Sequence, residues 1–372
     1  MNVGPTGPAL DGGARPLRQL GLLDRFLPLW IGAAMALGLG LGRLVPGLAT
    51  AIDRVQVDTV SVPIAAGLLV MMYPVLARVR YGHLGPVLGD RRLLAASLAL
   101  NWVVGPALMF ALAWAFLPDL PAYRTGLILV GLARCIAMVL IWNDLACGDR
   151  EAAAVLVALN AGFQVLAYAG LGYLYLDLLP RWLGLAHAAI VVSPWVIAQM
   201  VLIFLGVPLL AGALSRALGT RLRGERWYEE RFLPRVAPLA LYGLLFTVVV
   251  LFALQGQAIT GNPLAVARIA LPLLAYFALM WTVSFLLGQR LRLPYARTAT
   301  LAFTAAGNNF ELAIAVAIGV FGATSGEALA GVVGPLIEVP ALVGLVYVAL
   351  WARRRWFPPP AVHVAAECEA PA

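Results

Sequence analysis

Cys135 and Glu311 lie where a bilayer would exclude them, each mid-way along an apolar stretch: GLARCIAMVLIWND (131–144) and TAAGNNFELAIAVAIG (304–319). A carboxyl at the centre of a membrane helix costs about 2.5–3.5 kcal/mol, which a chain tolerates only where the group works or is well paired. A thiol suits a soft, thiophilic centre, and a carboxyl at depth can load and unload a proton as its surroundings alternate. Other polar side chains are patterned around the two. Thr304, Asn308 and Glu311 follow at i, i+4 and i+7, the spacing of one helix stripe. Asn160, Gln164 and Tyr168 form a second stripe, and Glu338 stands between Gly334–Pro335 and Pro340. Arg134 adjoins Cys135, placed either to pair with a buried acid or to attract substrate. The plainer reading of Asn101, Asn160 and Gln164 is hydrogen-bonded glue between membrane helices. A cysteine alone reads as a small buried hydrophobe. Two carboxyls at depth are expensive glue, and they lift Cys135 with them.

The elements that must carry these groups are membrane helices. The chain of 372 residues is 62% hydrophobic and 12% charged, where a soluble protein carries about 25% charged residues. Apolar runs near bilayer length recur at about 26–46, 58–79, 93–117, 125–146, 152–176, 188–214, 235–256, 268–288, 298–321 and 328–351. The third and sixth are candidates to hide a re-entrant piece. All 26 basic side chains are arginine. With both termini in the cytoplasm, twenty fall on the cytoplasmic side, five outside and one, Arg134, within a span. That bias supports ten spans and this orientation. It also accounts for the net charge of +8 without a nucleic-acid partner. Residues 1–20 and 358–372 read as disordered tails. The first apolar run is too long, and lacks the cleavage site, for a removable signal. The segment 215–235, the largest cytoplasmic connection, reads as amphipathic and interfacial. The three cysteines, Cys135, Cys147 and Cys368, do not make a disulfide framework or a soft-metal cage.

Ten spans divide into two fives, about 21–180 and 186–357, within one transporter domain over 21–357. Because five is odd, the second set inserts upside down relative to the first, the plan of many secondary transporters. An internal echo at an offset of 176 supports it: Cys135 corresponds to Glu311, and Glu151 to Glu327. The expectation is an all-α polytopic membrane protein of ten helices in two inverted repeats. Helices four and nine should be discontinuous near Gly131 and near Gly307, Asn308 and Asn309, where irregular backbone is tolerated. Such backbone survives in a membrane only where protein or a wet cavity satisfies it.

GLARCIAMVLIWNDLACGDRE (131–151), LNWVVGPALMFALAW (100–114), FTAAGNNFELAIAVAIGVFG (303–322) and GVVGPLIEVPALVGLVYVALW (331–351) resemble the signatures of the Acr3 family of arsenite efflux permeases. This family lies within the wider bile acid/arsenite/riboflavin transporter group. The resemblance spans about residues 20–357. It implies two inverted five-helix repeats with helices four and nine broken and crossing. It places the family's essential cysteine at Cys135 and its mid-membrane glutamate at Glu311, with Glu338 at a second acidic position. At Gly307 the chain departs from a pattern that often has serine, so Gly307 receives no binding role. The implied substrate is arsenite, and by extension antimonite, exported across the inner (plasma) membrane in exchange for protons. Cys135 would recognise the metalloid, Glu311 carry the proton, Asn308 and Asn309 bond hydroxyls, and Arg134 bias the cavity toward an anion. No cofactor is expected.

Three other readings compete, one of them a passive channel, against which the inverted-repeat layout favours alternating access. A sodium-coupled organic-anion symporter of the bile-acid type would share the fold, and the Cys135 motif argues against it. An intramembrane enzyme has little support: the sequence has no HExxH zinc motif and no G-x-S-x-G elbow, and His83, His187 and His363 fall in loops or tail.

Overall fold

A computed structural model describes residues 27–45, 47, 56–57, 60–79, 89–185, 193–261 and 263–357. The expected tails at 1–20 and 358–372 lie outside them. The described chain is helical apart from a short antiparallel pairing of β1 (Gln56–Val57) with β2 (Val60–Ser61). The helices are α1 (Leu27–Leu44), α2 (Val62–Ala77), α3 (Arg91–Phe116), α4 (Pro121–Leu132), α5 (Val139–Leu145), α6 (Arg150–Trp182), α7 (Pro194–Arg223), α8 (Leu233–Gly261), α9 (Pro263–Arg290), α10 (Tyr295–Ala306), α11 (Phe310–Phe321) and α12 (Gly326–Trp356). Helices α3, α6, α7, α9 and α12, and the stretch Glu225–Gly256, are long and apolar enough to cross a membrane, with shorter apolar helices between them. The molecule is a polytopic membrane protein.

Polar side chains set several helix starts. Asp90 accepts from Leu93 N at 3.1 Å, Asp149 from Ala152 N at 3.0 Å and Ser325 from Ala328 N at 3.1 Å, each satisfying a donor that has no partner within its own helix. Four π-turns interrupt the long helices, at Leu100–Val104, Leu174–Leu178, Leu202–Gly206 and Tyr228–Phe232. Each ends two residues before a proline: Pro106, Pro180, Pro208 and Pro234. A proline ring lacks an N–H and collides with the carbonyl four residues back. Here the residue before each proline donates five residues back instead (Gly105 to Leu100, Leu179 to Leu174, Val207 to Leu202, Leu233 to Tyr228). The wider turn keeps the helix continuous. Helices α3 and α7 are therefore single helices with one π-turn each, not re-entrant pieces. The expected loop at 215–235 is also mostly helix. Helix α7 runs on to Arg223, Gly224 turns the chain at φ 86°, and a helical turn from Glu225 feeds α8.

Packing sorts the helices into two groups. Helix α8 packs along α1 and α2, and the later part of α7 packs on α2. Small residues let these backbones approach, as membrane packing favours: a Cβ on Gly38 would meet Val249 O at 2.6 Å, and one on Gly212 the Leu76 backbone at 2.8 Å. The second group gathers around α4, α5, α10 and α11. Helix α12 packs on α4, α9 and α11; α3 packs on α4 and α9; α6 contacts α10. The first turns of α7 touch α6 and α11 and join the groups. Arg134, Trp142, Tyr168, Tyr276, Phe303 and Phe310, all fully buried, belong to the second group, and Ile64, Leu68 and Leu76 on α2 to the first.

Candidate functional site

Two breaks meet at the centre of this second group. Helix α4 stops at Leu132 because Ala133 turns extended, with φ −86° and ψ 114°. Helix α10 stops at Ala306 because Gly307 does the same, with φ −71° and ψ 145°. The two extended segments run antiparallel and pair: Cys135 N donates to Gly307 O at 3.2 Å, and Asn309 N donates to Ala133 O at 3.0 Å. A short piece of β ladder thus satisfies backbone groups that the breaks release, as their burial requires.

The ladder continues through side chains. In this bridge Arg134 faces Asn308, and the main-chain groups of Arg134 point away from the partner segment. Gln164 on α6 takes both: Arg134 N donates to Gln164 Oε1 at 3.0 Å, and Gln164 Nε2 donates to Arg134 O at 3.0 Å. On the far edge the Asn308 amide faces the Glu338 carboxyl from α12. The last carbonyls of α4 are satisfied one by one. Tyr168 Oη donates to Leu129 O at 2.8 Å, Asn308 Nδ2 to Val130 O at 2.7 Å, and the Arg134 guanidinium to Gly131 O.

Arg134 is wholly buried. Besides Gly131 O, its guanidinium donates to Tyr276 Oη at 2.6 Å and reaches Ala305 O at 3.5 Å. The anticipated ion pair with a buried acid gives way to these partners. A cation at the carbonyl ends of α4 and α10 is favoured by the helix dipoles, which explains how the site keeps a buried arginine beside neutral groups.

Cys135 follows on the unwound segment and is 3% exposed. Its Sγ accepts from Val139 N at 3.3 Å, at the opening of α5. Gly307 lies against it: a Cβ there would sit 3.0 Å from Cys135 Cβ and 3.6 Å from Sγ, so the missing side chain lets the two segments approach closely at the thiol. Cys147 is disulfide-bonded, a bond that spacing did not anticipate. Cys135 is the free cysteine among the described residues.

The acids and amides close the site. Asn309 caps α11 by accepting from Leu312 N at 3.1 Å, and Glu311 stands in the first turn of that helix, partly accessible. Glu338 is 2% exposed. Both carboxyls lie within electrostatic reach of Cys135, and of each other. Asn308 Oδ1, Asn309 Nδ2 and Glu338 Oε1 are buried without a hydrogen-bond partner in the protein. They offer acceptors and a donor around one thiol. A small neutral polyhydroxyl species fits that set. Among the described residues no group of three His, Cys, Asp or Glu side chains could hold a metal ion.

The structure thus gathers all six residues singled out from the sequence: Cys135, Glu311, Asn308, Asn309, Arg134 and Glu338. Two details differ from expectation. Thr304, Asn308 and Glu311 do not share one helix face, because the break at 307–309 separates Thr304 on α10 from Glu311 on α11. Thr304 spends its hydroxyl on Thr300 O at 2.7 Å. The residues facing each other across the crossing are 308 − 134 = 174 apart, whereas the next helices start 326 − 150 = 176 apart. The first break spans 133–138 and the second only 307–309, which brings the offset to 310 − 139 = 171, and the longer α11 raises it again to 176, so the register is not constant along the two halves. Cys135 therefore pairs with Gly307 across the crossing, and at the crossing's own offset of 174 its counterpart in the second half is Asn309, two residues before Glu311. Tyr276 and the clamp by Gln164 were not read as site parts. The lone hydroxyl of Tyr276 amid the apolar run around it was the available signal.

Residues 65–262 match the model of the Sodium Bile acid symporter family. An arsenical-resistance protein Acr3 of Corynebacterium glutamicum is 57% identical over 345 residues, 93% of each chain. An uncharacterized transporter of Synechocystis is 36% identical over 91% of each chain. An arsenical-resistance protein Acr3 of Alkaliphilus metalliredigens is 30% identical, covering 92% of this chain and 96% of its own. With its free thiol at a crossing of two broken helices and this likeness along nearly its whole length, the chain belongs to the Acr3 arsenical-resistance proteins, within the sodium/bile-acid symporter family.

Proposed function

We propose that this protein exports arsenite across the cell's inner membrane, in exchange for protons, by alternating access. The observation that carries the reading is the free Cys135 thiol on unwound backbone, with two carboxyls in electrostatic reach. The polypeptide crosses the bilayer ten times in two inverted five-helix repeats. The broken pairs α4–α5 and α10–α11 are the fourth and ninth crossings, and both termini are cytoplasmic. The matched ends of the two breaks and the antiparallel crossing support that plan.

Arsenite near neutral pH is the small acid As(OH)3, with a soft centre and three hydroxyls. At Cys135 an As–S bond forms as one As–O bond breaks, and the thiol proton leaves with the departing hydroxyl as water. Attack by water reverses the step and releases As(OH)3. One thiol binds reversibly, whereas three would trap the substrate. Asn308 Oδ1 accepts from an arsenite hydroxyl and Asn309 Nδ2 donates to one. Glu311, the accessible acid, takes a proton from one side of the membrane and returns it to the other. Glu338 flanks the site from α12. Arg134 holds the ends of α4 and α10 rather than the substrate. Antimonite, chemically alike, is a second substrate on this reading.

The family description favours a second reading, a sodium-coupled organic-anion symporter. The two readings separate in everted vesicles. Under proton exchange, an imposed pH gradient drives arsenite accumulation without sodium, and Glu311→Gln abolishes the response to that gradient. Full gradient-driven accumulation in Glu311→Gln rules out the proton role of Glu311. A strict need for sodium favours the second reading.

A further inference from the structure

Among the described residues, Gln164 is the one side chain that engages both main-chain groups of the residue preceding Cys135. Its amide accepts from Arg134 N and donates to Arg134 O, both at 3.0 Å. It is fully buried on α6 and so stands where a third strand would stand. Asn308 pairs with Arg134 from one side and the Gln164 amide completes it from the other. An unwound segment with its edge open would be free to slide or to rewind into α4. With both edges closed, the peptide that carries the thiol has one placement. Neighbouring contacts cannot replace this one: Tyr168 and Asn308 hold Leu129 O and Val130 O, groups still within α4.

We infer that Gln164 is a positioning residue, which sets where the Cys135 thiol meets substrate by clamping the Arg134 peptide. The inference rests on the reading that Cys135 recognises arsenite. It adds that recognition depends on an amide about thirty residues away in sequence, on a different helix. A misplacement of about 1 Å at a reacting group costs on the order of a hundredfold, so a loosened clamp should act on substrate affinity and thiol reactivity before it acts on folding. Glutamate is the informative substitution. It keeps the length and the acceptor for Arg134 N, and when ionised it has no donor for Arg134 O.

The test measures arsenite uptake into everted vesicles, per unit of transporter in the membrane, for wild type, Gln164→Ala, Gln164→Glu and Tyr168→Phe. The rate at which Cys135 reacts with a monofunctional aryl arsenical is measured on the same proteins. The expected result is a rise in KM for arsenite of roughly tenfold to a hundredfold in Gln164→Ala, with a matching fall in thiol reaction rate. Gln164→Glu should fall between Gln164→Ala and wild type. Tyr168→Phe removes a comparable buried bond that does not touch Arg134, and should leave KM unchanged. Lower abundance with unchanged KM and unchanged thiol rate in both Gln164 variants would overturn the inference and leave Gln164 as glue between helices. If Gln164→Ala alone is too scarce to assay, Gln164→Glu carries the decision. Failure of the underlying reading looks different: Cys135→Ser would then transport arsenite normally.

Discussion

At the scale of single residues, this protein places its expensive groups where backbone is already irregular. Cys135, Asn308 and Asn309 all sit on segments that have left the helix, and the polar partners around them serve backbone first and leave few atoms over. On the proposed reading, the leftover atoms on Asn308, Asn309 and Glu338 are offered to a ligand; Arg134 Nε is also left without a partner. Charges away from the crossing behave differently. Asp119, in the turn between α3 and α4, pairs with Arg268 at the start of α9 at 2.8 Å, and that pairing lowers its carboxyl from 3.8 to about 2. A carboxylate with a lowered folded value contributes stability that is present above 3.8 and lost as pH falls through about 2. Both partners are solvent-accessible, so the contribution is small and screened by salt. Asp119→Asn is expected to lower the melting temperature of detergent-solubilised protein slightly at neutral pH, to close that gap toward pH 2, and to leave the KM for arsenite unchanged. A large change in KM would mean that the pair takes part in transport. The residues that meet at the crossing were legible in the sequence because polar side chains are conspicuous within apolar runs. The partners of Arg134 were not: a cation beside two acids suggests an ion pair, and only the position of the α4 carbonyl end reveals a cap.

At the scale of elements, the site depends on how closely α12 approaches α11. Gly334 on α12 lies against the ring of Phe310, the first residue of α11 and the neighbour of Glu311. A methyl there has no room unless the ring moves. Gly334→Ala is therefore expected to cost about 1–3 kcal/mol through overpacking, and to reduce transport by more than it reduces abundance, because Phe310 carries Glu311 with it. Thermal unfolding in detergent, paired with vesicle uptake normalised to protein, checks both. An unchanged melting temperature would show that α11 yields without strain. The helix breaks were legible from Gly and Asn clusters, but Gly131 was misjudged. It lies inside α4, where a Cβ would strike Met109 on α3, so it serves close packing and the chain unwinds only after Leu132. The π-turns were not legible as such, since a proline in an apolar run equally suggests a kink, a break or a re-entrant piece.

At the scale of the whole molecule, two helix groups surround one crossing. One group, α1, α2, α8 and the later turns of α7, meets through glycines; the other carries the crossing, the buried arginine and the acids. Apolar length made the membrane class readable. The register across the crossing was not readable, because the two halves differ in length both at the breaks and in the segments that follow them. The division of labour predicts that substrate recognition resides in the thiol and the driving force in the proton gradient. The most direct test is arsenite uptake into everted membrane vesicles, comparing wild type with Cys135→Ala, each with and without a protonophore. The account predicts accumulation in wild type alone, abolished by the protonophore. Equal accumulation by Cys135→Ala, or accumulation that persists when the proton gradient is collapsed, would contradict it.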